Sequence, residues 1–161
     1  MISMQHYRTA TVLIILAVFV LAGVAFFNSG YLSERAARTA VTEFGTKLQN
    51  VPLAGEADIV VNAITENYTP YVTEELLELW KKNPEEAPGR ETSSPWPDSI
   101  EIAHVSEQGE GYVITGSVVL MTSVEETQGG VAGMVPIVMQ VIPTDSGWKI
   151  AVYEEQKTVA E

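Results

Sequence analysis

Residues 99–124 read SIEIAHVSEQGEGYVITGSVVLMTSV, and their apolar side chains recur at every second position. Ile100, Ile102 and His104 alternate with Glu101, Ala103 and Val105, and Gln108-Gly109-Glu110-Gly111 then turns the chain. Residues 112–124 form a long strand. One face carries Tyr112, Ile114, Gly116, Val118 and Leu120, the other Val113, Thr115, Ser117 and Val119. Both faces are partly apolar, which predicts a sheet covered by helices on one side and by something else on the other.

Toward the C-terminus the same period continues. Residues 125–133 are a glycine-rich loop, 134–142 a third strand, and Thr144-Asp145-Ser146-Gly147 a tight turn. Residues 148–155 make the last strand, with Trp148, Ile150 and Val152 alternating against Lys149 and Ala151, and 156–161 is a frayed tail. Toward the N-terminus lies NPEEAPGRETSSPWP, residues 83–97. Its four prolines and one glycine fit either a disordered linker or a strap, and Trp96 between two prolines favours a strap pinned by that ring.

Upstream the period becomes helical. Thr73 caps a helix over 74–82, with Glu74 and Glu75 at its positive end and Lys81 and Lys82 at its negative end. Leu76, Leu77 and Trp80 form its buried stripe. Tyr68-Thr69-Pro70-Tyr71 is a turn, because the residue before proline is pushed out of the helical region. Residues 57–67 are a second helix with Ile59, Val60, Ala63 and Ile64 inward. Residues 34–50 are a first, with Ala37, Ala40, Val41, Phe44 and Leu48 at i, i+3, i+4, i+7 spacing, Ser33 as cap and Gly45 as a mild weakness. Pro52 and Gly55 end it.

Residues 10–27, ATVLIILAVFVLAGVAFF, hold no charge, and a helix of that length reaches roughly 27 Å, enough for a bilayer core. A cleaved signal peptide with a cut near Gly23-Val24-Ala25 is the competing reading. The length of the run and the following Phe26-Phe27 favour a retained signal anchor. Arg8 and His6 in the head face Arg35, Arg38 and Lys47 beyond the span, so charge alone does not set the orientation. A short head with one span still fits an inside N-terminus and an outside domain. The organisation expected is a cytoplasmic head over 1–9, a transmembrane anchor over 10–27, a joint over 28–32 and an extracytoplasmic domain over 33–155.

The formal net charge is −12, and every acidic residue lies beyond residue 27. Such a surface repels nucleic-acid phosphates and anionic headgroups, and it tolerates a basic protein partner. Cysteine is absent, so disulfides, thiolate metal sites, a cysteine nucleophile and a lipid-attachment cysteine are excluded. There is no phosphate-binding glycine loop, no Gly-x-Ser-x-Gly elbow and no His-Glu-x-x-His. Neither a pilin processing motif nor a small-xxx-small pair is found in the span.

The fold class expected is therefore α+β: three helices packed on a curved four-stranded antiparallel sheet behind a transmembrane helix. Over residues 33–155 the sequence resembles the nuclear-transport-factor-2-like, cystatin-like superfamily. The carriers are the long first helix, TPYVTEELLELW, the strap into SSPWPDSIEI, and the closing hairpin ending GWKIAVYE. The resemblance implies a cone-shaped domain, and that superfamily contains acid–base enzymes, ligand binders and assembly modules, often dimeric through the sheet. A single span before such a domain resembles the bitopic scaffold subunits of type IV secretion and conjugation machines, and equally anchored envelope proteins of bacteria.

His104, the one histidine beyond residue 27, is a candidate general base if Asp98 or a tyrosine lies beside it. The plainer reading is a strand-end histidine. Tyr68, Tyr71, Trp80, Trp96 and Tyr112 are candidates to line a pocket in the cone mouth; as core and strap anchors they need no ligand. Glu107, Glu110, Glu125 and Glu126 sit in loops that would have to meet to hold calcium, and no Asp-x-Asp-x-Asp spacing supports that. No cofactor and no metal are expected. The function expected is an anchored, non-enzymatic protein-interaction module whose partners are envelope proteins or a second copy. A ligand-binding or acid–base domain using a pocket near His104, and a self-associating surface protein, are the alternatives.

Overall fold

The computed structural model describes residues 32–156. The head, the apolar span over 10–27 and most of the joint and tail lie outside the described residues. The chain divides into two units, Met1–Arg35 and Ala36–Glu161, and the sheet with its hydrophobic core belongs to the second. Among the described residues no helix is long and apolar enough to cross a membrane.

Four strands form one antiparallel sheet in the order of the chain: β1 (Trp96–Gln108), β2 (Gly111–Met121), β3 (Gly133–Thr144) and β4 (Gly147–Glu155). With helices α1 (residues 32–45), α2 (Ala57–Tyr68) and α3 (Glu74–Lys82) before it, the architecture is α+β. The helices bury Ala37, Val41, Phe44, Val60, Ile64 and Trp80 in one core with Ile100, Ile114, Ile137, Met139, Val141 and Ile150 of the sheet.

α3 forms where cap, charge and stripe coincide. The Thr73 hydroxyl accepts from the Leu76 amide at 3.4 Å, and the Lys81 ammonium lies 2.6 Å from Glu78. Leu76, Leu77 and Trp80 are its buried face. Three helical expectations need correction. Ser33, expected as the cap of the first helix, lies inside α1. Ile59 in α2 points outward and is 52% exposed, leaving Val60, Ile64 and Tyr68 as the buried stripe. α1 stops at residue 45, and the amides of residues 46 and 47 tighten onto Glu43 and Phe44 before the 3-10 turn Leu48–Asn50.

Gly45 is a contact rather than a weakness. A Cβ there would stand 2.6 Å from the Ile100 amide nitrogen and 3.0 Å from the Ile100 Cβ. The backbones of α1 and β1 meet at that point. Gly45→Ala should therefore destabilise the domain by about 1–2 kcal/mol, because overpacking outweighs the propensity gain of at most about 1 kcal/mol. A rise in melting temperature in this variant would refute the close approach.

The sheet edge at β4 is joined to the segment before α3. The Thr73 amide donates to the Ile150 carbonyl at 3.0 Å and the Ile150 amide to the Tyr71 carbonyl at 2.8 Å, a short parallel bridge. The Lys149 ammonium donates to the Thr69 carbonyl at the end of α2, 2.7 Å away.

The expected loop over 125–133 contains a helix, α4 (Ser123–Gln128), and β2 ends at Met121. Thr122 caps α4, accepting from the Val124 amide at 3.2 Å while its hydroxyl donates to the Glu125 carboxylate. Thr122-x-x-Glu125 has the residue types and spacing of a capping box, a signal present in the sequence.

Both edge strands carry bulges that shift their phase. In β1 the register slips between Ile102 and His104, leaving Ala103 without a partner. In the β3–β4 pair it slips after Gln140, leaving Ala151 unpaired. Because side chains alternate with period two, one extra residue exchanges the faces for everything beyond it.

Candidate functional site

The segment from Asn83 to Pro95 crosses one end of the sheet as a strap. After the short turn Pro84–Glu86, Ala87 and Pro88 are buried. The buried Tyr68 hydroxyl at the end of α2 donates to the Pro88 carbonyl. Two residues on, the Arg90 amide donates to the Val51 carbonyl at 2.8 Å and the Leu53 amide to the Arg90 carbonyl at 3.0 Å. Gly89 passes so close that a Cβ would stand 2.8 Å from the Val51 carbonyl oxygen. The strap reading holds, but its fastening differs from the expectation. Trp96 is half-buried and already pairs in β1 opposite Met121; the pins are Pro88 and Arg90.

Between this strap and the sheet end lies a cleft of about 280 Å³, open on one side. Its floor is Val118, Leu120 and Val135; Leu48, Pro88 and Pro95 of the strap and Pro97 at the start of β1 form its walls. Two carboxylates reach it, Glu91 from the strap and Glu155 from β4, together with Tyr153. The Tyr153 hydroxyl donates to Glu155 at 3.2 Å. Burial, then the nearby Glu155 charge, pushes the Tyr153 hydroxyl well above its ordinary pKa, and burial does the same to Tyr68.

Behind the cleft the space between helices and sheet is filled by rings. Phe44 lies 4.9 Å from Tyr68, 6.3 Å from Trp80 in a stacked arrangement and 6.2 Å from Tyr153, centroid to centroid. Trp80 is 5.6 Å from Tyr68 and 6.0 Å from Tyr153, both edge to face. Edge-on and offset pairs of this kind add to the area the rings bury.

The five aromatic candidates are thus divided. Tyr68 and Trp80 belong to this cluster, with Tyr71 half-buried at its border, 6.4 Å from Phe44. Tyr112 sits at the far end of β2, 5.2 Å from Trp148. None of the five, Trp96 included, lines the cleft.

Alternation alone puts His104 on the face of Ile100 and Ile102. The bulge at Ala103 turns it to the opposite, exposed face, where it pairs with Thr115, and brings Val105 inward instead. Asp98 is exposed at the other register slip of β1, between Pro97 and Ser99. Neither lines the cleft. The loop acids are likewise separated. Glu107 and Glu110 flank the β1–β2 turn, whereas Glu125 and Glu126 lie on α4 beyond the opposite end of β2, roughly 30 Å of strand away. The Thr122 hydroxyl bonded to Glu125 holds that carboxyl below its ordinary range. Among the described residues no group of three or more His, Asp or Glu is placed to hold a metal.

The residues that do meet at the cleft, Glu91, Tyr153 and Glu155, are not among those the sequence singles out. The bulge at Ala151 explains the last two. Strict alternation from Trp148 and Ile150 selects Val152, which is 38% exposed, and the slipped register brings Tyr153 inward in its place.

No family model matches the chain, and no curated protein matches it. One solved structure, "Crystal structure of intermembrane space region of chloroplast protein ARC6", is similar over 76% of this chain and 97% of that one, at 18% identity and a TM-score of 0.42. That likeness says nothing of what this chain does.

Proposed function

We propose that the chain is a single-pass membrane protein whose residues 10–27 anchor a cystatin-like α+β domain outside the cytoplasm, and that this domain binds other proteins within a secretion, conjugation or envelope complex. The observation that carries the reading is the filled interior. Phe44, Tyr68, Trp80 and Tyr153 pack against one another between the helices and the sheet, where the ligand-binding alternative expects a pocket in the mouth of the cone. His104, the candidate base of the catalytic alternative, faces solvent on the other side of the sheet. Surface recognition through the strap and the sheet end is then the work left to the domain.

The test is crosslinking of the full-length protein in its native membrane followed by mass spectrometry of the captured species. A defined set of envelope proteins is the expected result. Capture of further copies alone would replace this reading with self-association, through the sheet or otherwise. Release of the uncrosslinked protein by a salt or alkaline wash would overturn the anchor.

A further inference from the structure

We propose that the cleft beneath the strap receives one arginine side chain from a basic segment of a partner protein, held between Glu91 and Glu155. This deepens the interaction-module reading and rests on it. Three observations select the occupant. The first is size. At about 280 Å³ the cleft lies just under the ~300–1,000 Å³ of ordinary small-molecule pockets, and it suits an anchor residue of the kind that dominates protein interfaces.

The second is the distribution of polarity. The floor and walls are aliphatic and proline-rich, while the charged groups are two carboxylates, Glu91 and Glu155, supplied from separate parts of the chain beside the hydroxyls of Thr92 and Tyr153. Among the described residues no cation is paired with Glu91 or Glu155. A long side chain with an apolar stem and a cationic head matches that arrangement. Arg90 of this chain is not a lining residue, and its backbone is fixed on both sides by Val51 and Leu53. Among the described residues none supplies a cation to the two carboxylates, and a partner's side chain takes that place.

The third is hydrogen-bond capacity. Tyr153 donates to one oxygen of Glu155, and both carboxylates keep further lone pairs to accept from a ligand. A planar guanidinium with five donors can address two carboxylates at once and is more weakly hydrated than an ammonium, which selects arginine over lysine. The net charge of −12 steers a basic segment toward the domain before it docks.

The test uses the full-length chain in detergent and three acetylated, amidated tripeptides, Leu-Arg-Leu, Leu-Lys-Leu and Leu-citrulline-Leu, with binding measured by calorimetry. The arginine peptide should bind at least tenfold more tightly than its uncharged citrulline counterpart and severalfold more tightly than the lysine one. Glu91→Gln and Glu155→Gln should each weaken it by fivefold or more at unchanged melting temperature. Glu126→Gln, which removes the same charge elsewhere, should leave it unaltered. Equal binding of the citrulline peptide, an equal loss in Glu126→Gln, or tighter binding of free arginine than of the peptide would each overturn the proposal.

A photo-crosslinking residue placed at Thr92, which lines the cleft, or at Val138, which pairs with Thr115 on the His104 face of the sheet, separates this proposal from the reading beneath it. Capture at Thr92 that the arginine peptide competes away, and the citrulline peptide does not, is the expected result. Capture at Val138 alone keeps the interaction module and removes the cleft assignment. Capture at neither position removes both.

Discussion

Trp80→Ala should lower the stability of the domain by about 4 kcal/mol, since truncating a buried aromatic costs about 3–5 kcal/mol. Trp80 is 2% exposed and meets three rings at once, those of Phe44, Tyr68 and Tyr153. Its removal leaves a cavity that α3 cannot close by shifting. The helix is tied at its start by the Thr73–Ile150 bond and bears on the core through Leu76 and Leu77. For a domain of this size the melting temperature should fall by roughly 15 °C. Leu79→Ala, one residue earlier on the 46% exposed face, should stay within about 0.5 kcal/mol of the parent. Similar losses in the two variants would mean that the ring cluster does not hold the helices to the sheet.

The second large effect is alkaline. Tyr68 and Tyr153 both have hydroxyl pKa values raised in the folded protein, chiefly by burial. Their unfolded value is about 10. Below that pH neither state is ionised and both tyrosines are neutral whether folded or not. Above it the unfolded chain releases protons that the folded chain retains, so stability falls as pH rises. Each tyrosine contributes about 1.4 kcal/mol per pH unit, and the two together about 2.7. A domain with total stability of about 5–15 kcal/mol should therefore unfold cooperatively within the few pH units above about 10. Urea titrations at increasing pH measure the slope, and the tyrosinate absorbance band should appear together with loss of far-ultraviolet dichroism. Tyr68→Phe and Tyr153→Phe should each reduce the slope to about half. Ionisation of both rings in a chain that keeps its native dichroism would sink the assignment.

How far the sequence can be read depends on where each signal resides. α3 is legible to the residue because its cap, its end charges and its Leu-Leu-Trp stripe all lie within ten positions and agree. The four strands are legible because alternation is local. The bulges are not. An unpaired Ala103 or Ala151 is fixed by the register of a neighbouring strand, and nothing in either residue announces it. Each bulge reverses an assignment, His104 outward in one case and Tyr153 inward in the other. The same limit hides Gly45, whose need for a missing Cβ arises from Ile100, 55 positions away. It also hides the cleft, which is assembled from Leu48, the strap, two middle strands and the end of β4. The capping pair Thr122 and Glu125 is different, since that signal is local and decipherable from residue types alone.

The strand order has a consequence for how the chain comes to be folded. Each strand pairs with its neighbour in sequence, so the sheet can close hairpin by hairpin. Docking the helices is slower work. The contact of Lys149 with Thr69 spans 80 residues, a loop whose closure costs on the order of 4 kcal/mol against about 1 for a tight turn. Pulse-labelled exchange should accordingly protect the β2 and β3 amides before that of Arg90. During synthesis the helices leave the ribosome first, yet the surface that covers their apolar stripes is complete only after residue 150 has emerged. Until then the nascent chain exposes Phe44, Ile64 and Trp80, each from the moment it emerges, to whatever chaperone attends it.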